Sequence, residues 1–119
     1  MTTAPVRVAV LGSTGSVGRQ SLDVIRQLPG RFKVAALAAG RNSDELARQV
    51  AEFRPTYVSC EVESPALRDA ASAAGTRFAS MDDVATAEDV DILLVGTAGA
   101  AGLTPTLKAR RLGRPGAIA

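Results

Sequence analysis

The apolar positions of this chain fall into short continuous runs, separated by stretches in which they recur every three or four residues. Val6 to Leu11 is the first run, interrupted only by Arg7, and it is too short and too rich in β-branched residues for a helix. A buried strand is the expectation. After Gly12 to Gly18 the period changes: Val17, Ser21, Val24 or Ile25, and Leu28 share one helical face, and Pro29-Gly30 ends the segment. Phe32 to Ala39 is a second, nearly continuous apolar run, as in a strand covered on both faces. Strand, helix and strand within about thirty residues make a βαβ unit with a right-handed crossover.

The alternation continues to the end of the chain. Gly40 to Ser43 ends the second strand; Asn42, with Glu45 three residues later, predicts a capping box, and Leu46, Val50 and Phe53 give the next helix its apolar face as far as Arg54-Pro55. Tyr57 to Cys60 predicts a third strand. Ser64-Pro65 supplies an N-cap and a proline at the first helical position, and Gly75 a C-terminal stop. Arg77 to Ala79 predicts a short strand, Ser80 to Ala87 a short helix, and Asp91 to Val95 a buried strand. Gly96 to Gly102 is a second loop of small residues, Thr104-Pro105 begins a helix to Leu112-Gly113, and Arg114 to Ala119 reads as a strand just starting. Strands alternating with helices predict an α/β fold, a doubly wound parallel sheet with helices on both faces.

Composition narrows what such a sheet does. At 119 residues the chain is one domain, able to bury roughly two-thirds of its unfolded surface. There is no His, which removes the commonest general base, any Ser-His-Asp triad and most zinc sites. The single Cys60 has no partner for an internal disulfide, so a reducing compartment is expected. The start, Met1 to Pro5, is short and polar, and neither a signal peptide nor a membrane span is read; the expected location is cytoplasmic. With three Phe, one Tyr, no Trp and a net charge of +2, the chain lacks the stacking platforms and the charge of a nucleic-acid binder.

The chemistry lies in Gly12 to Gly18, a G-x-x-G-x-x-G turn between a strand and a helix. The first N–H groups of a helix have no internal partner and carry the positive end of its dipole, and glycines let a pyrophosphate approach them. The competing reading is a turn that merely packs the helix close to the sheet. In doubly wound sheets the ligand lies beyond the carboxyl ends of the strands, where Gly12 to Gly18 and Gly96 to Gly102 both fall. The end of the second strand selects the dinucleotide. An NAD site carries an acid there to accept from the ribose 2′-OH, whereas this chain has Arg41, with Asn42 and Ser43 beside it. A guanidinium pairs with a 2′-phosphate, which favours NADP; the alternative is that Arg41 is an exposed loop charge.

Other polar residues carry less. Asp23 reads as a solvated helix residue. Asp82, Asp83, Glu88, Asp89 and Asp91 are numerous enough for a metal cluster, but helix capping and solvation at the sheet end away from the ligand explain them better. Cys60 reads as a small buried hydrophobe. No acid–base pair is poised for catalysis, and no catalytic or metal-binding residue is assigned to this chain.

These residues resemble one family. The run from Leu11 to Gly18 with Ser21 to Ile25 is similar to the start of the 1-deoxy-D-xylulose-5-phosphate reductoisomerases. The similarity continues through Phe32 to Asn42, Phe53 to Pro55, Gly99 to Leu103 and Pro105 to Leu107, while Glu61 to Glu88 is not distinctive and Gly96-Thr97-Ala98 departs somewhat from the family wording. The resemblance implies a Rossmann-like domain, residues 1–119, that binds NADPH. It also implies an enzyme of non-mevalonate isoprenoid biosynthesis. That enzyme rearranges 1-deoxy-D-xylulose 5-phosphate with a divalent metal, Mg or Mn, and reduces the product to 2-C-methyl-D-erythritol 4-phosphate. By motif position, Thr14, Gly15, Ser16 and Val17 line the pyrophosphate and Gly40, Arg41 and Asn42 the 2′-phosphate. Gly99 to Gly102 lies along the adenine-side ribose or nearer the nicotinamide. The family continues into an Asn-Lys-Glu block and a catalytic domain with the metal ligands, so this chain is expected to bind NADPH without catalysis. The resemblance also implies a homodimer formed through parts absent here.

Two rivals remain at this point. A semialdehyde dehydrogenase-like enzyme uses a similar glycine turn and NADP but differs after the second strand. A non-catalytic dinucleotide sensor suits the absence of acid–base groups, but such a domain is expected to close its sheet and add a terminal helix.

Overall fold

The computed structural model describes residues 4–96 in full and residues 116–118 as backbone. Six parallel strands form one sheet in the order β4-β3-β2-β1-β5-β6: β1 is Val6–Leu11, β2 Phe32–Ala38, β3 Tyr57–Ser59, β4 Arg77–Phe78, β5 Ile92–Val95 and β6 Gly116–Ile118. The helices are α1 (Ser16–Gln27), α2 (Ser43–Phe53), α3 (Pro65–Ala74) and α4 (Met81–Thr86). The first four strands step outward from β1 in one direction, and β5 and β6 step away in the other. Right-handed crossovers then put the helices of the two halves on opposite faces. Two cores result. Leu22, Ile25, Leu46, Val50, Leu67 and Ala71 pack with Val8, Val10 and Leu37 on one face, and Val84 and Ala85 of α4 pack with Ala9, Leu11, Ala36 and Leu93 on the other. The doubly wound parallel sheet is as expected.

A bulge sets the register at the centre. Val8 pairs with Val34 but Ala9 pairs with Ala36, so Ala35 is extra. Ala35 and Ala36 therefore both face the α4 side, while Val34 and Leu37 face α1 and α2. The uninterrupted apolar run concealed this, because a strand buried on both faces carries no alternation to break.

Most element ends fall within a residue of expectation. Three strands end one residue early, at Ala38, Ser59 and Phe78, yet the Ala39 N–H still bonds the Ser59 carbonyl at 2.9 Å. Ser64 and Ser80 cap their helices, accepting from the Leu67 and Asp83 N–H groups, and Gly75 ends α3 with φ 71°. The buried face of α1 is a correction. It is Gly18, Leu22 and Ile25, whereas Val17 and Val24 are exposed (38% and 53%). The face rotates because Gly18, with no side chain, is the point where α1 rests on the turn before it. The capping box of α2 is half formed. Asn42 accepts from the Glu45 N–H at 3.2 Å, but the Glu45 carboxylate turns to Arg48 instead. The helix expected from Thr104 to Leu112 lies outside the described residues.

Candidate functional site

The chain leaves β1 at Leu11 and turns sharply at Gly12, whose φ of 78° only glycine adopts without strain. The Gly12 and Ser13 N–H groups both donate to the Ala38 carbonyl, at 2.7 and 3.0 Å, which ties the turn to the end of β2. The Gly15 N–H closes on the Gly12 carbonyl at 3.1 Å, and Gly15 becomes the N-cap of α1. Glycine has no side chain to offer the first-turn donors, and α1 has no acidic residue in that turn. The other three described helices are capped by Asn42, Ser64 and Ser80. Among the described helices, α1 alone presents its first N–H groups without a side-chain cap, and with them the positive end of its dipole.

Two further glycines bring the surfaces together. A Cβ on Gly18 would lie 2.2 Å from the Gly12 carbonyl oxygen and 2.6 Å from the Ser13 Cα, so α1 sits directly on the turn. A Cβ on Gly96, just after β5, would lie 3.3 Å from the Gly18 nitrogen, and the Gly96 N–H donates to the Leu11 carbonyl at 2.8 Å. The ends of β1 and β5 thus meet α1 where the strand order reverses, the place where such sheets bind ligands.

Of the residues expected at the pyrophosphate, Gly15, Ser16 and Val17 are exposed and Thr14 is half-buried, all on the outer side of the turn. Gly40, Arg41 and Asn42 are exposed at the carboxyl end of the neighbouring β2. One edge of the sheet therefore gathers both groups, linked through the Ala38 carbonyl. The Arg41 guanidinium forms no ion pair among the described residues, and the Asn42 side-chain oxygen is used in capping, which leaves its amide N–H₂. The Glu61 N–H donates to the Gly40 carbonyl at 2.9 Å, and the Glu61 carboxylate lies 3.9 Å from where a Gly40 Cβ would stand. Sequence reasoning did not single out Glu61. The loop expected from Gly99 to Gly102 to lie along the dinucleotide falls outside the described residues.

Beneath the turn are two residues that sequence reasoning also missed. Ser13 is fully buried (0%), and Gln49 of α2 (3%) donates from Nε2 to the Ser13 carbonyl at 2.9 Å. The signal was a polar residue inside the apolar stripe of α2, between Leu46 and Val50. Around it, Glu45 bonds Arg48 at 2.8 Å and faces Arg19 of α1 at 3.9 Å. These cations, Arg48 first, hold the Glu45 carboxyl below its usual range.

The weaker candidates play other parts. Asp23 pairs with Arg26, which also bonds Glu52 at 2.7 Å and stacks over Phe53, joining α1 to α2. Asp83 lies in the capped first turn of α4, and Asp91 makes a two-point contact with the Arg7 side chain at 2.9 and 3.1 Å at the opposite edge of the sheet. No group of three or more His, Cys, Asp or Glu converges among the described residues. Cys60 is half-buried against the core, and burial pushes its thiol pKa up. No described helix is long and apolar enough to cross a membrane.

Comparison with known proteins agrees with this geometry. The family model described as 1-deoxy-D-xylulose 5-phosphate reductoisomerase matches residues 8–119. The chain is 43% identical over 116 residues to the 1-deoxy-D-xylulose 5-phosphate reductoisomerase of Photorhabdus laumondii, covering 91% of this chain and 29% of that protein. Against the enzyme of the same name from Anaeromyxobacter sp. strain K it is 42% identical over 118 residues, 95% of this chain and 30% of the relative. Among solved structures, the Zymomonas mobilis reductoisomerase in complex with NADPH superposes with a TM-score of 0.85 at 30% identity, covering 98% of this chain and 32% of that one. A DOX-P reductoisomerase in complex with NADPH, fosmidomycin and magnesium gives 0.83 at 33% identity, covering 93% and 29%. The chain spans about 30% of the length of the relatives it matches.

Proposed function

The chain belongs to the 1-deoxy-D-xylulose 5-phosphate reductoisomerase family, and we propose that residues 1–119 are the NADPH-binding part of such an enzyme. The observation that carries this is the uncapped N-terminus of α1, resting on a glycine turn where the strand order reverses. The fit is tested by the glycines. Gly12 needs its positive φ, Gly18 leaves no room for a Cβ, Gly96 leaves a tight fit for one, and Gly15 keeps the outer surface of the turn free of a side chain.

In this reading Thr14, Gly15, Ser16 and Val17 offer backbone donors to the pyrophosphate, and the dipole of α1 favours its charge. Arg41 pairs with the 2′-phosphate, Asn42 adds its amide N–H₂, and the Gly40 backbone lets the ribose come close. Bound NADPH supplies the hydride for the reduction of rearranged 1-deoxy-D-xylulose 5-phosphate to 2-C-methyl-D-erythritol 4-phosphate. This chain's residues bind and orient the dinucleotide and move no proton. The divalent metal of the whole enzyme is assigned to no residue here, and chemistry on the sugar phosphate is assigned to parts outside these residues. Chain pairing into a homodimer is likewise assigned to other parts, and the lone Cys60 suits a reducing compartment such as the cytoplasm.

Titration of the 119-residue chain with NADPH and with NADH, followed by nicotinamide fluorescence, tests the reading. NADPH is expected to bind about ten- to a hundredfold more tightly, because a charged hydrogen bond to the 2′-phosphate contributes about 1.5–3 kcal/mol. Equal affinity for the two would remove the role of Arg41, and binding of neither by the folded chain would remove the reading.

A further inference from the structure

We propose that Gln49 is a positioning residue for the dinucleotide: it orients the Ser13–Thr14 peptide so that the Thr14 N–H points at the pyrophosphate. The proposal rests on the reading of the turn as the NADPH site. Gln49 stands on the apolar stripe of α2, 3% exposed, next to Leu46 and Val50, which are fully buried. Its Nε2 donates to the Ser13 carbonyl at 2.9 Å; because a carbonyl only accepts, this contact fixes which end of the amide faces the turn. In a trans peptide the C=O and the following N–H point in opposite directions. Holding the Ser13 carbonyl inward therefore turns the Thr14 N–H outward, and that N–H has no backbone acceptor among the described residues. Thr14 begins the outer surface on which Gly15 and Ser16 present the open end of α1.

Stability alone does not account for the arrangement. Gln49 Oε1 and Ser13 Oγ are both buried without a hydrogen-bond partner in the structure, and a core filled for stability alone avoids such atoms. An apolar residue of similar volume would fill the same place without an unpartnered Oε1, but it would leave the buried Ser13 carbonyl bare. What it would lack is the donor that fixes the peptide.

The test compares the full wild-type chain with Gln49→Met and Gln49→Leu, which keep volume and remove the donor. Three quantities are read: the Kd of NADPH, the Kd of adenosine 2′-monophosphate, and Tm. Adenosine 2′-monophosphate carries the 2′-phosphate but no pyrophosphate. The expected result is NADPH binding weakened about tenfold, one well-oriented hydrogen bond, with adenosine 2′-monophosphate affinity unchanged; Tm falls by a few degrees, because the buried Ser13 carbonyl loses its donor. Unchanged NADPH affinity in a folded variant overturns the proposal. So does a parallel loss of both ligands, since that is a packing role; the fall in Tm alone does not separate the two. If the wild-type chain binds neither ligand, the NADPH reading itself fails, and the wild-type titration alone identifies that outcome. Met is the least disruptive replacement, and its result decides if the Leu variant does not fold.

Discussion

Replacing Gly18 by Ala asks the most of the structure with the smallest change. The new Cβ would stand 2.2 Å from the Gly12 oxygen, 2.6 Å from the Ser13 Cα and 2.9 Å from the Gly12 carbon. All three are backbone atoms of a turn held by two bonds to the Ala38 carbonyl and one from Gln49, so none can swing aside as a side chain would. Restoring ordinary contact moves the start of α1 about 1.2 Å away from the turn, against the packing of Leu22 and Ile25. Overpacking of this kind costs about 1–3 kcal/mol, and three fixed atoms put it near the upper end. For a domain of this size that is a fall of roughly 10 °C in Tm. Affinity for NADPH should fall at least about tenfold, because the donors of the turn and of α1 no longer converge. Thermal unfolding and fluorescence titration of the same sample read both effects. Gly30→Ala is the control: Gly30 has positive φ (82°), unlike the helical Gly18, but open space around it at the opposite edge of the sheet, so it should lose about 1 kcal/mol of stability and no affinity. A Gly18→Ala chain with wild-type Tm and wild-type NADPH affinity would refute the close-packing argument.

Three other outcomes follow from the same geometry. Gly15→Val should fold normally, since Gly15 has extended backbone and its Cβ would be 3.4 Å from the Gly12 oxygen, yet it should block the pyrophosphate and weaken NADPH by about tenfold or more; unchanged affinity would make the turn purely structural. Arg41→Asp should weaken NADPH about ten- to a hundredfold more than NADH, and equal loss of both would end its 2′-phosphate role. In acid, Glu45 and Glu52 are held below their ordinary pKa of 4.5, chiefly by hydrogen bonds from Arg48 and Arg26. Depressed carboxyls stabilise the fold above the unfolded pKa and lose that contribution as pH falls through the folded value. Urea midpoints should therefore drop below about pH 4.5, and Glu45→Gln or Glu52→Gln should flatten that drop; an unchanged acid limb in both variants would count against these pairs.

The elements were legible where the signal is local. Ser64-Pro65, Ser80 and Gly75 mark helix ends through their own backbone and capping chemistry, and the structure has those ends. The Gly12 to Gly18 turn and its place beside Gly40 to Asn42 at the carboxyl ends of β1 and β2 were also readable, because the topology of alternating strands and helices dictates where strand ends gather. What the sequence concealed depends on contacts between distant segments. The bulge at Ala35 lies inside a run with no polar residue to mark register. Val17 and Val24 have the spacing of a buried face, but Gly18 lets the turn press against α1 and rotates the face by a residue. Glu45 fits a capping box by spacing, yet Arg48 and Arg19 attract it more strongly than one backbone N–H. The contact of Gln49 was hidden because its partner is 36 positions away. The family match sets aside the semialdehyde dehydrogenase-like reading and does not favour the sensor module.

The central claim is that one edge of the sheet, from Thr14 to Val17 and from Gly40 to Asn42, receives NADPH. Amide chemical shifts of the isotope-labelled 119-residue chain, followed during NADPH addition, test it directly. The account predicts that the largest changes fall on those two segments, with Gly12, Ser13 and Gly96 close behind, and that Arg7, Gly30 and Asp91 at the opposite edge stay still. Changes centred on that opposite edge, or none in a folded chain at saturating NADPH, would contradict it.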